Sequence, residues 1–207
     1  MKSQDIVILF KLVSLEQQKK GSFNSGRFKL LAESEVWSIE ESQVIYNGEN
    51  MLNEAYSNRG LESSTGISKS EVNASIKRSI SVGMAKLDRK SKIPKTNVRA
   101  LLEFVSHGIK YVYPANPSAI VRGIPTSFAA PVLEGKLMTA GEFIYVWPDA
   151  HGKKMGQSVE PLYKTVPLAV KKDPILYGYL ALVDAIRIGA GRERAFAIKE
   201  LKRWLEA

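Results

Sequence analysis

The sequence predicts an α+β fold in two parts: a helical N-terminal part carrying a small β-element, and a smaller α+β C-terminal region ending in two helices. Three observations carry this reading. Residues 57–82 read as a helix, a glycine turn at Gly66 and a second, capped helix. The basic run "RKSK" at 89–92 lies between short extended-looking segments. Apolar residues at helical spacing after Pro174 mark the closing helices.

Taken in order, residues 4–18 form a helix in which Ile6, Leu9, Phe10 and Val13 recur at helical spacing. Ile8, Leu12 and Leu15 widen its apolar face, so it is buried on two sides, in a core or a subunit interface. The serine- and glycine-bearing stretch that follows reads as a loop. A second helical region spans about 34–56, broken by the Asn-Gly turn at 47–48. Ser57 is the expected N-cap of the next helix and Gly66 its terminator. Ser68 then restarts the chain in a capping box with Glu71, and Val72, Ile76 and Ile80 form the buried stripe.

A strand is expected at 84–88, with Pro94 as a stop and a helix over 96–108 capped by Thr96 or Asn97. "IKYVYPA" alternates like a strand that pairs with 84–88. Helix, turn, helix and flanking β-element together make the layout of a winged helix-turn-helix. The domains expected are 1–114, with an insertion at about 19–54, and 115–207. In the second, "PANPSAIVRGIPTSFAAPVLEGKL" reads as an ordered irregular segment. A strand, a turn at 149–152 and a returning extended segment come next. Asp173 caps the first closing helix with Pro174 at its first position, and the second begins near Arg192.

The chain has 207 residues, no cysteine, two histidines and a formal net charge of +9. Without cysteine there are no disulfides, thiol nucleophiles or zinc fingers. The opening apolar run is interrupted by Lys11 and has no small-residue cleavage site, and no long uncharged apolar run exists, so a cytoplasmic location is expected and no membrane span. From Lys69 to Lys110 there are ten Lys or Arg against three Asp or Glu, so a net +7 of the +9 sits in about a fifth of the chain. Such crowding points to a polyanion.

The helix starting at Ser68 suits a DNA groove. With its apolar stripe inward, Ser70, Asn73, Ala74, Lys77 and Arg78 fall outward or on the flanks. Asn bridges an adenine edge, Lys or Arg takes guanine acceptors, and Ser and Ala allow close approach. Ser68 and Lys69, at the helix start, are placed for phosphate. Arg89, Lys90, Lys92 and Lys95 would lie along the backbone or reach the minor groove; the plainer alternative is a solvated helix and turn.

The stretch "YSNRGLESSTGISKSEVNASIKRSISVGMAK" resembles the winged helix-turn-helix core of bacterial transcriptional regulators of the MarR type. The C-terminal series "RALLEFVSHGIKYVYPA", "RGIPTSFAAP", "VWPD" and "GQSVEPLY" resembles an uncharacterised subgroup of those proteins. The resemblance implies double-stranded DNA binding, a homodimer and transcriptional control, with Ser68–Ile80 as recognition helix. Asn58 and Gly60 depart from the usual first helix of the motif, as does the long 19–54 insertion.

No nucleophile elbow, phosphate loop, dinucleotide fingerprint or metalloprotease motif is present, so no enzyme, cofactor or metal is expected. His107 ends an apolar helix, and His151, Asp149 and Glu160 lie near a turn; all read as ordinary polar positions. Arg122 offers a charge for an anionic ligand or partner carboxylate, or else belongs to a packed crossover. Tyr145 and Trp147 present one side to the core and the other to a pocket or interface. The first reading is a DNA-binding regulator. The second is an interaction module, or an antitoxin-like partner of a co-encoded protein, with autoregulatory DNA binding secondary.

Overall fold

The computed structural model describes residues 1–20, 54–133 and 143–206. Most of the helical region expected over 34–56, its Asn-Gly turn and most of the 19–54 insertion lie outside these. Helix α1 (Ser3–Lys19) is the axis of the molecule: Gln4 through Leu15 are all buried, polar residues included. Its apolar faces are covered within the chain, by helices of both halves.

Helix α2 (Asn58–Thr65) begins as expected, with the Ser57 hydroxyl accepting the Gly60 N–H at 3.0 Å. Gly60 is there for packing. A Cβ at this position would overlap the backbone of Glu54 and Ala55, in the turn that leads into the helix. The helix stops at Gly66, whose φ of 68° is the left-handed conformation that glycine adopts without strain.

Helix α3 (Lys69–Ser81) follows. Val72, Ser75 and Ser79 are buried, and Ile76 and Ile80 are only partly so. The expected capping box is absent. Ser68 makes no cap bond; the Lys69 N–H is taken by Glu62 Oε1 at 3.0 Å, and Glu71 turns toward α1 to accept from Gln4 Nε2 at 2.8 Å.

Strand β1 (Ala85–Leu87) does not pair with 109–115. It forms a hairpin with β2 (Pro94–Thr96), Lys86 lying opposite Lys95. Pro94 is tolerated because a two-stranded ribbon consists of edge strands alone. The segment expected to be the partner strand turns into the short helix α5 (Ile109–Val112) after α4 (Val98–His107). Ile109 is buried, while Tyr111 and Val112 are exposed, so the alternation marked no buried face. Asn97 caps α4 by accepting from the Ala100 N–H, and Thr96 donates to the Leu9 carbonyl at 2.9 Å, tying the hairpin to α1.

In the C-terminal part, the segment expected to be irregular contains strand β3 (Ile120–Pro125). With β4 (Tyr145–Pro148) and β5 (Lys154–Ser158) it closes a small barrel. β3 runs antiparallel to both, and β4 and β5 run parallel, so the turn at 149–152 does not close a simple hairpin. Closure needs Gly123, where a Cβ would overlap the Trp147 carbonyl.

Helix α6 (Val166–Lys172), not anticipated from the sequence, leads into α7 (Pro174–Ile188) and α8 (Gly191–Leu205). Asp173 caps α7 as expected, accepting from the Ile175 and Leu176 N–H groups at 3.0 Å each. α7 is buried from Pro174 to Arg187. Tyr179 stacks on Phe10 of α1, with ring centroids 5.2 Å apart. A continuous apolar cluster thus runs through the mixed α+β fold, across the expected boundary at 114–115. Among the described residues no helix is long and apolar enough to cross a membrane.

Candidate nucleic-acid interface

The surface of α3 that faces away from α1 carries Ser70, Asn73, Ala74, Lys77 and Ser81. Their spacing keeps them on one face. Ala74 is half-buried and the others are exposed. Beside the helix start, Ser68 and Lys69 are exposed too, with the Ser68 and Ser70 hydroxyls 3.3 Å apart. The Glu62 carboxylate on the Lys69 N–H puts a negative charge where a phosphate was expected.

The groove-facing reading of Arg78 needs correction. Its Nη2 and Nε donate to the two oxygens of the buried Asp5 carboxylate, at 2.7 and 3.0 Å, and Nη2 lies 3.4 Å from Glu71. Burial alone would push the Asp5 carboxyl up. The Arg78 guanidinium and the Lys2 backbone N–H outweigh that and hold it below the usual carboxylate range. Glu71 is held low as well, first by the Gln4 amide and then by Lys2 and Arg78. Arg78 therefore braces α3 against α1 from the flank of the stripe.

The hairpin is fixed to the same helix. Met84 N–H donates to the Ser79 carbonyl at 2.8 Å, and the Asn97 side chain donates to the Gly83 carbonyl at 3.0 Å. At its tip the Asp88 carboxylate accepts from the Lys90 and Ser91 N–H groups and from the Ser91 hydroxyl. Lys92 takes a left-handed φ of 57° to complete the turn. These bonds, led by the Ser91 N–H, hold the Asp88 carboxyl well below its usual range. Arg89, Lys90 and Lys92 project from this ordered tip and are exposed. Lys95, expected beside them, instead pairs with Asp88 at 3.1 Å. Exposed Lys86 on β1 is a basic neighbour that the sequence reading did not single out.

The remaining candidates are dispersed. His107 is exposed at the end of α4, and His151 is exposed in the 149–152 turn. Asp149 is paired with Lys171 at 3.1 Å, and Glu160 is exposed. Arg122 is exposed and donates to the Gly152 carbonyl, and Tyr145 is half-buried. Trp147 points inward. It is 1% exposed, packs edge-on against Tyr177, and donates to Asp184 at 2.6 Å, because α7 covers this end of the barrel. The buried Asp184 also accepts from Thr126 and Arg187. Among the described residues no three His, Asp or Glu side chains gather closely enough to hold a metal ion. No family model matches the chain, and no curated protein or solved structure is significantly similar to it.

Proposed function

We propose that the protein binds double-stranded DNA in a sequence-dependent way and regulates transcription, with α2, the Gly66 turn, α3 and the hairpin acting as a winged helix-turn-helix. The observation that carries this reading is the stripe of exposed Ser70, Asn73 and Lys77 with half-buried Ala74, on a helix that Arg78 ties to Asp5 of α1. Asn73 and Lys77 stand four residues apart on one face, with small residues between and before them. That pairs base-edge hydrogen bonding with room for close approach. The ordered basic tip of Arg89, Lys90 and Lys92 supplies charge for the phosphate backbone and steers association. A homodimer on paired half-sites belongs to the same proposal.

Fluorescence anisotropy on the duplex upstream of the encoding gene, and on a scrambled duplex, tests it at several salt concentrations. Preference for the native duplex is expected and should be lost in Asn73→Ala/Lys77→Ala. Substituting Arg89 and Lys92 should weaken both duplexes alike and flatten the salt dependence. Equal binding to both duplexes, unchanged by Asn73→Ala/Lys77→Ala, would reduce the claim to backbone electrostatics. No binding would refute it.

A further inference from the structure

The barrel carries a second surface whose chemistry differs from that of α3. Along β3 the side chains of Ile120, Arg122 and Ile124 share one face. Strand pairing sets Gln157 opposite Ile120, Met155 opposite Arg122 and Trp147 opposite Ile124. At the Ile124–Trp147 end this face is sealed by α7. Toward the other end the cover stops. Ile120 is 48% exposed and Met155 55%. Phe143 is 42% exposed, and the carbonyl of its neighbour Ile144 accepts the Gln157 N–H at 2.8 Å. Half-buried Tyr145 lies opposite Gln157.

The rim is basic. Arg122 on this face and Lys153 just before β5 are exposed, and residues 118–125, 143–148 and 153–158 contain no Asp or Glu. Asp149, in the adjoining turn, is neutralised by Lys171. Large apolar side chains left exposed together and rimmed by charge of one sign mark an interaction surface.

We propose that this face docks an acidic segment of another protein that anchors itself with apolar side chains. Each of the three strands is hydrogen-bonded to the other two, and the exposed apolar side chains stand on the face, so recognition falls to the face rather than to a strand edge. A second copy of the chain fits poorly, because two-fold self-pairing would set two copies of the same basic face, each carrying Arg122, against one another. A DNA backbone would use the charge but nothing of Ile120, Phe143 and Met155.

The test is selection of a random-peptide display library on the immobilised full-length chain, with enriched peptides then labelled and titrated by anisotropy. Expected are peptides combining Asp or Glu with large apolar residues. Their affinity should fall at least tenfold with Ile120→Thr/Met155→Thr and with Arg122→Glu, and stay unchanged with Asn73→Ala/Lys77→Ala. Circular dichroism confirms folding; should the double variant misfold, Met155→Gln alone replaces it. The proposal is overturned if no such peptides are enriched, or if those enriched ignore the barrel variants. A dimer in sedimentation that Ile120→Thr/Met155→Thr dissolves would reassign the face to a second copy. Loss of duplex affinity in Arg122→Glu would reassign it to DNA. Because duplex reading is probed at Asn73 and Lys77, the two proposals fail separately.

Discussion

Lys11 and Asp173, 162 residues apart in sequence, form an ion pair of 2.8 Å in the core, both side chains almost fully removed from solvent. Ser14 donates to the same carboxylate oxygen at 2.6 Å, and the other oxygen caps α7. One carboxylate therefore fastens α1 to the helix on which the C-terminal half is built. Removing one partner of a buried pair strands the other charge, at a cost of about 3–5 kcal/mol. Lys11→Met should lose that much in urea denaturation. Lys11→Met/Asp173→Asn should recover part of it, since asparagine keeps the cap and carries no charge.

Arg78 and Asn73 lie on the same helix and should separate cleanly by assay. Arg78→Ala leaves Asp5 buried without its guanidinium and should cost about 3 kcal/mol of stability. Asn73→Ala/Lys77→Ala removes only exposed groups and should stay within about 0.5 kcal/mol of wild type. Duplex preference should respond in the opposite order once Arg78→Ala is assayed below its melting temperature. Equal losses of stability in both variants would show that the stripe, too, is structural.

Acid should weaken the Arg78 brace. The folded-state values of Asp5 and Glu71 are depressed, so the native state favours their ionised forms. The stability they contribute is fully present above the ordinary carboxylate range, near pH 4, and is lost as pH falls through the lower folded values. Asp5→Asn should melt below wild type at pH 7, with the gap closing toward pH 3. A gap that is constant with pH would mean that Asp5 acts through packing rather than charge.

Glu62 caps the first free N–H of α3 with a full negative charge. On the proposed DNA surface this charge opposes a phosphate at the helix start. Glu62→Gln keeps an acceptor and removes the charge, so duplex affinity should rise about two- to fivefold at low salt. The gain should shrink as salt is raised. Weaker binding would place the phosphate contacts elsewhere.

The parts legible in the sequence are those set by local chemistry. Ser57, Gly66, Asn97 and the Asp173–Pro174 start all act within a few residues of themselves, and each lies where its residue type predicts. The failures share a different cause. Glu71 leaves its capping box for Gln4, 67 residues away, and Arg78 turns inward to Asp5; no helical wheel contains either partner. β1 takes the nearer partner across a proline that reads as a stop. Trp147 is drawn inside by Asp184 of a helix far along the chain. The exposed stripe of α3 was visible as a pattern, but which of its basic residues are already engaged was not.

Strand β3 was missed because glycine and proline in "VRGIP" read as irregular, and the same glycine supplies the last test. A Cβ at Gly123 would run into the Trp147 carbonyl, which is backbone and cannot yield without opening the β3–β4 ladder. Gly123→Ala should therefore cost about 1–3 kcal/mol or more and expose Trp147, seen as a red-shifted fluorescence maximum. Gly191, at the start of α8, has nothing within 4 Å of such a Cβ. Gly191→Ala should stabilise by about 0.4–1 kcal/mol, through the lost freedom of the unfolded chain. If Gly123→Ala were as harmless as Gly191→Ala, the close approach of β3 and β4, and with it the closed barrel that exposes Ile120 and Met155, would be incorrect.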